Sequence, residues 1–168
     1  MHKKTIFNLL GPHTNPCGAK KQIIGVYNKS LLKTFSSVSK NLEMEHVLVV
    51  HGEDGLDEIT ISGKTYISEL KNGEIMNYEI SPKDFSLKNR PLAEITANSP
   101  SESLELVKGA FSGKSSAVQD MIALNSAASL YLSRQSNSIS EGVEQAFALM
   151  NDGSAMNKLN AYVRESNL

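Results

Sequence analysis

The residues best suited to chemistry lie in one acidic segment, residues 51–58 (HGEDGLDE). Four carboxylates fall within six residues here, hinged by two glycines, and they repel one another unless water or cations share the charge. Hard oxygen ligands with little histidine or thiol suit magnesium, particularly when the phosphates of a substrate complete the coordination shell. The alternative is an acidic surface turn that binds nothing, and spacing alone leaves both interpretations open.

A second candidate is the loop at residues 8–16 (NLLGPHTNP). A loop this rich in Gly, Pro and Asn has a fixed, unusual backbone, which allows a ligand to approach closely, although most such loops are only turns. His13 lies within it and is a candidate general base, but a single histidine without a visible partner is more often structural. Cys17, the only cysteine, is expected to be a loop residue rather than a nucleophile.

The acidic segment follows an apolar run that predicts a buried strand, residues 46–50. Residues 22–27 predict another strand, and the apolar spacing from Leu31 to Leu42 predicts a helix between the two. Strand, helix and strand form a βαβ unit, whose strands run parallel with a right-handed crossover. In open α/β sheets, ligands bind beyond the carboxyl ends of the strands, which is where the acidic segment begins.

Three short runs after the acidic segment are typical of strands: residues 59–62, 65–70 and 74–80. Asn72-Gly73 is a strong hairpin signal between the last two. We therefore predict an α/β fold, with a small parallel sheet containing the βαβ unit, a β-hairpin region and flanking helices.

From residue 98 onward the pattern is helical. Capping boxes predict helices that begin after Ser99 and after Ser138. Leu104, Val107 and Phe111 predict a buried stripe on the first of these helices. Residues 117–132 are apolar on most sides and predict a central helix, and a last helix follows near residue 156.

Composition restricts the class of protein. The 168 residues are enough for one domain, and 40% hydrophobic with 21% charged residues is the balance of a soluble globular protein. No run approaches the ~18 apolar residues of a membrane span, the start lacks a signal peptide, and one cysteine suits a reducing compartment, so a cytoplasmic location is expected. A net charge of −1 argues against sequence-independent nucleic-acid binding.

Phosphate-binding motifs are scarce in this sequence. It contains neither a dinucleotide-binding glycine motif nor a P-loop, and arginine occurs only at Arg90, Arg134 and Arg164. A free-standing enzyme that acts on a polyphosphate normally has more phosphate-binding machinery.

Two long motifs resemble those of one enzyme family. Residues 5–12 (TIFNLLGP), followed by TNP at 14–16, closely resemble a signature segment of the anthranilate phosphoribosyltransferases. Residues 49–58 (VVHGEDGLDE) are similar to that family almost residue for residue. Three shorter segments match in the same order: GVY at 25–27, LNSAA at 124–128 and EG at 141–142. The likeness therefore covers essentially the whole chain.

The resemblance implies transfer of the phosphoribosyl group of 5-phosphoribosyl 1-pyrophosphate to anthranilate, in tryptophan biosynthesis. It implies that Asp57 and Glu58 ligate the Mg²⁺ ions that hold the pyrophosphate. It assigns substrate binding to Asn8, Gly11 and Pro12, with the latter two beside anthranilate, and it identifies no catalytic residue.

The chain also departs from the family pattern. The family's N-terminal helical domain, which usually forms the dimer, and its glycine-rich pyrophosphate loop belong to an upstream part. Residues 1–168 are therefore expected to be the C-terminal part of the α/β catalytic domain, inactive alone and prone to self-associate. Lys4 stands where an arginine is common, and His13 where an apolar residue is common.

Three alternatives remain open at this point. The first is a relative of the pyrimidine nucleoside phosphorylases, which the DGLDE segment disfavours. The second is a non-catalytic homologue that binds nucleic acid or a protein partner, which the intact acidic pair and the pI of about 6.4 disfavour. The third is one subunit of a split enzyme, whose other half is a separate polypeptide.

Overall fold

The computed structural model describes residues 11–114 and 116–167. Within these ranges one sheet has four strands in chain order: β1 (Lys21–Gly25), β2 (His46–Gly52), β3 (Thr65–Lys71) and β4 (Glu74–Ile80). β1 and β2 run parallel and are connected by helix α1 (Leu31–Asn41), so the predicted βαβ unit is confirmed. The apolar residues of β2 are fully buried because helices cover both faces of the sheet.

β3 and β4 form the predicted hairpin. Asn72 and Gly73 both have positive φ, 52° and 80°, as a two-residue type I′ turn requires. β3 also pairs antiparallel with β2, so the hairpin extends the sheet rather than forming a region of its own. The α/β class is confirmed, and the sheet is mixed rather than parallel throughout.

The predicted strand at residues 59–62 is wrong. This segment is irregular, although Ile59 and Ile61 are 1% and 0% exposed. Side chains replace the missing strand partner: the amide of Thr60 donates to the hydroxyl of Thr65 at 3.0 Å. The apolar β-branched residues therefore predicted burial correctly here, but this segment does not pair as a β-strand.

Four further helices follow the sheet: α2 (Pro100–Phe111), α3 (Ala117–Leu132), α4 (Ile139–Asn151) and α5 (Ser154–Ser166). The hydroxyls of Ser99 and Ser138 accept the expected amide hydrogen bonds, so the predicted starts of α2 and α4 are confirmed. α3 is the predicted central helix, and most of its core-facing residues are buried. No helix in the described ranges is long and apolar enough to cross a membrane.

The predicted buried stripe of α2 is wrong. Leu104 is 43% exposed, Val107 and Phe111 are only half-buried, and Ala110 is the buried residue of this helix. α5 has no buried residue in the described part, and Tyr162 on it is 70% exposed. α2 contacts α3, and α5 contacts α4, but apart from Ala110 the apolar residues of α2 and α5 are only partly buried or are exposed.

Glu69 on β3 is a buried carboxylate, only 3% exposed. Burial raises the pKa of this group, but its hydrogen bonds outweigh that effect and hold the pKa below the ordinary value of 4.5. Three side chains donate to it, at 2.7 to 2.9 Å: His46, Tyr78 and Tyr131. Glu69 is thus a structural group at the opposite end of β2 from the acidic segment.

Candidate functional site

The carboxylates of the acidic segment follow the end of β2 directly, as predicted, although β2 itself extends to Gly52. Gly52 closes a tight turn there: its amide donates to the carbonyl of Leu56 at 2.8 Å, and its carbonyl accepts from the amide of Gly55 at 2.9 Å. Leu56 packs against the core, which anchors the end of the turn. The next two residues, Asp57 and Glu58, are therefore presented at the carboxyl end of the two parallel strands.

Two of the four carboxylates build the loop itself. Asp54 accepts hydrogen bonds from the hydroxyls of Thr60 and Ser62 and, at 3.1 Å, from the amide of Leu56. Partial burial raises the pKa of Asp54, but these bonds outweigh it and leave the pKa below its usual range. Glu53 accepts from the amide of Lys64 at 3.1 Å, so its carboxylate is also engaged in the turn.

The other two carboxylates are available to a ligand. Asp57 and Glu58 are both exposed, and neither side chain makes a hydrogen bond or ion pair with residues 11–114 or 116–167. No group of three or more His, Cys, Asp or Glu residues in those ranges forms a closed metal site. Two carboxylates therefore fit an open Mg²⁺ site, where water and substrate phosphates supply the remaining oxygens.

The backbone of Asp57 lies directly on the end of β1. A Cβ atom placed on Gly25 would lie 1.7 Å from the carbonyl oxygen of Asp57, so only glycine permits this approach. The neighbouring strand ends are joined by His51, whose Nδ1 donates to the carbonyl of Val26 at 2.7 Å. Asp57 is therefore held against the sheet rather than on a free loop.

An open groove of about 330 Å³ lies beside Glu58. α3 supplies its other lining residues: Met121, Ile122, Asn125, Ser126 and Ser129. A larger apolar groove of about 440 Å³ shares Ile122, Ser126 and Ser129 and continues between α3 and α4. The acidic pair thus borders a continuous surface of mixed polar and apolar character.

The second predicted site is only partly described. Asn8 lies outside the described residues, and Gly11 and Pro12 belong to a short 3₁₀ helix, Gly11–Thr14. Neither Gly11 nor Pro12 lines the groove beside Glu58, so the described structure does not bring the two predicted sites together. Their predicted contact with substrate stays a prediction.

His13 packs against α1 rather than towards the acidic pair. Its Nε2 lies 2.9 Å from the hydroxyl of Ser39, and its ring is tilted against Phe35 with centroids 5.2 Å apart. Burial lowers the pKa of His13. A hydrogen bond to the backbone of Phe35 raises it, but by less, so the pKa stays below its ordinary value. These contacts favour the structural interpretation of His13 over a general base.

The sequence pattern did not indicate the contacts that Asn125 makes. Asn125 is a polar residue in the middle of an apolar helix, and its amide bonds the backbone of Ile59, next to Glu58. The signal was present in the sequence, because a polar side chain within a buried helix needs a partner. Its partner, 66 positions away, was not predictable from local pattern.

The fold and this site define a class of protein. The sequence profile described as "Glycosyl transferase family, a/b domain" matches residues 1–156, and the chain belongs to that family. Among its curated relatives are the anthranilate phosphoribosyltransferases of Vesicomyosocius okutanii and Ruthia magnifica, 45% and 47% identical over 163 residues. The predicted resemblance is confirmed.

Solved structures show the same relationship. Anthranilate phosphoribosyltransferase from Thermus thermophilus superimposes with a TM-score of 0.85 at 32% identity, covering 97% of this chain and 48% of that one. The Saccharomyces cerevisiae enzyme in complex with PRPP and Mg has a TM-score of 0.85 at 26% identity, with 99% and 48% covered. The chain spans about half the length of the curated relatives that it matches.

Proposed function

We propose that this chain is the magnesium-binding, C-terminal part of the α/β catalytic domain of an anthranilate phosphoribosyltransferase. In this proposal Asp57 and Glu58 hold the Mg²⁺ that binds the pyrophosphate of 5-phosphoribosyl 1-pyrophosphate. The observation that carries it is a difference among the four carboxylates of residues 53–58. Glu53 and Asp54 form hydrogen bonds within the loop, whereas the next two, Asp57 and Glu58, are exposed without a partner among the described residues.

The chemistry fits this arrangement. The anthranilate nitrogen attacks C1 of the ribose, the bond from C1 to the pyrophosphate oxygen breaks with its electron pair leaving on pyrophosphate, and the nitrogen loses a proton to solvent. Bound Mg²⁺ stabilises the charge that gathers on pyrophosphate. Asp57 and Glu58 hold and orient that ion, while Asn8, Gly11 and Pro12 bind substrate in the proposed assignment. Positioning contributes more than strong base catalysis because the amine is already a nucleophile.

The proposal includes the rest of the family's enzyme as a partner. The pyrophosphate loop of the family has no counterpart in residues 1–168, so this chain is expected to be inactive until an upstream part is supplied.

The apolar groove between α3 and α4 and exposed side chains such as Leu149, which is 47% exposed, support self-association of the isolated chain. Light scattering after size-exclusion chromatography tests this, and a clean monomer contradicts it. A cytoplasmic location is part of the same proposal, supported by the free, exposed Cys17.

A titration with Mn²⁺ tests the cation site directly. Mn²⁺ shares the preference of Mg²⁺ for oxygen ligands and broadens the NMR signals of nearby amides. We expect selective broadening centred on Asp57 and Glu58, weakened in Asp57→Asn and in Glu58→Gln. Glu144→Gln is the control, because Glu144 is an exposed carboxylate on α4 and its substitution removes the same charge. Broadening centred elsewhere contradicts the proposal.

Reconstitution tests the reaction. The chain is mixed with the complementary upstream half of the Ruthia magnifica relative, and consumption of anthranilate and release of pyrophosphate are followed. We expect turnover only when both parts and Mg²⁺ are present, and none with Asp57→Asn. Turnover by the 168-residue chain alone contradicts the expected inactivity, whereas salt-dependent DNA binding without turnover favours the non-catalytic homologue.

A further inference from the structure

Asn125 joins helix α3 to the residue that follows Glu58. Its Oδ1 accepts from the amide of Ile59 at 3.0 Å, and its Nδ2 donates to the carbonyl of the same residue at 2.9 Å. Nδ2 also donates to the carbonyl of Met121, one turn earlier in α3, at 3.1 Å. One side-chain amide therefore satisfies both backbone groups of Ile59 and is itself oriented by its own helix.

Ile59 depends on this side chain. It is 1% exposed and belongs to an irregular segment, so its backbone groups have no strand partner within the described residues. A buried amide or carbonyl without a partner is costly, and the Asn125 amide matches the donor and the acceptor together. The backbone position of Glu58, one residue earlier, is set by the same pair of bonds.

α3 is a firm support for this connection. Gly142 of α4 packs on Ala127 so closely that a Cβ atom at Gly142 would lie 2.8 Å from the Ala127 carbonyl oxygen. Leu124, the neighbour of Asn125, is fully buried in the same core as Ile59. Packing between α3 and α4 thus fixes Asn125, and the hydrogen bonds of Asn125 fix the backbone of Ile59, next to Glu58. Asn125 also lines the groove next to Glu58.

We propose that Asn125 is a positioning residue of the cation site, which holds the Glu58 carboxylate where it and Asp57 share one ion. This inference rests on the proposed function. It also gives a physical role to the LNSAA segment, whose match to the family carried no assigned role. Asn125 acts through Ile59 and Glu58, not by contact with substrate.

Mn²⁺ titration of Asn125 variants tests this proposal. Asn125→Ala removes both bonds to Ile59. Asn125→Ser is the milder variant, because its hydroxyl can bond the Met121 carbonyl within the helix but is too short to bridge to Ile59. Val143→Ala is the matched control, since Val143 is 4% exposed on α4 and its truncation destabilises the core without removing the connection. Urea unfolding of each variant measures the loss of stability, so that variants are compared at equal destabilisation.

Two readouts separate positioning from general stability. In both Asn125 variants we expect the Mn²⁺ dissociation constant at Asp57 and Glu58 to rise on the order of 10-fold, the usual effect of losing a residue that orients a metal ligand. We also expect faster hydrogen exchange of the Ile59 amide relative to the β2 amides. Val143→Ala should leave the Mn²⁺ dissociation constant unchanged. It should not speed up hydrogen exchange of the Ile59 amide relative to the β2 amides.

The outcomes distinguish this inference from the proposed function. Wild-type Mn²⁺ affinity in Asn125→Ser, or an equal loss of affinity in Val143→Ala at the same stability, overturns the role of Asn125 and leaves the cation site intact. Absence of selective broadening in the unsubstituted chain overturns both proposals. A loss confined to the Asn125 variants supports both.

Discussion

Substitution of Gly25 by alanine is the sharpest test of how the site is held. The added Cβ atom would lie 1.7 Å from the Asp57 carbonyl oxygen, whereas real Cβ contacts essentially never fall below 3.0 Å, so that carbonyl must retreat by about 1.3 Å. A misplacement of about 1 Å costs roughly 100-fold in rate, which corresponds to about 2.7 kcal/mol of activation free energy. The clash is with backbone, so no side-chain rotation relieves it.

We therefore expect Gly25→Ala to lower kcat/KM of the reconstituted transferase by about 100-fold and to weaken Mn²⁺ binding by the isolated chain. The free energy of unfolding should fall by about 1 to 3 kcal/mol in urea titrations, as for other overpacked sites. Gly109→Ala is the matched control: apart from its chain neighbours and the backbone of its own helix, no atom lies within 4 Å of the position that the new methyl takes on α2, and the change should stabilise the helix by about 0.5 to 1 kcal/mol. Wild-type turnover and cation affinity in Gly25→Ala would refute the reasoning that contact with β1 places Asp57.

Three further predictions concern the scaffold. Gly142→Ala should lower the free energy of unfolding by about 1 to 3 kcal/mol in urea, because the new methyl meets the Ala127 backbone; an unchanged midpoint would show that α3 and α4 separate easily. The pKa of Glu69 is depressed below 4.5, so its stabilisation is complete above that pH and is lost as the pH falls through the lower folded-state pKa. Glu69→Gln should therefore be less stable than wild type at neutral pH, and the gap should narrow below pH 4.5 in urea titrations; a constant gap contradicts this. Burial lowers the pKa of His13 from 6.5, because the folded state favours the neutral ring. The contribution of that neutral ring to folding stability is therefore complete above pH 6.5 and is lost as the pH falls through the lower folded-state pKa. His13→Leu should remove that part of the pH dependence of thermal unfolding, and an unaltered profile would count against burial of the neutral ring.

Local signals in the sequence were enough for much of the fold. Asn72-Gly73 determines its hairpin because few residue pairs adopt two consecutive positive φ angles. Ser99 and Ser138 mark helix starts because a hydroxyl satisfies an amide only a few residues away. The position of the acidic segment at the end of β2 was also predictable, since a continuous apolar run followed by carboxylates is a local pattern.

The tertiary structure alone decided which carboxylates are available and what holds them. Asp54 is engaged by hydroxyls that follow it in an irregular segment, which the pattern of β-branched residues had predicted to be a strand. The backbone of Asp57 packs on Gly25, from a different strand, and Ile59, the residue after Glu58, is hydrogen-bonded to Asn125, from a helix far along the chain. Contacts at such separations depend on how elements pack, and periodicity within one element carries no information about the surface it will meet.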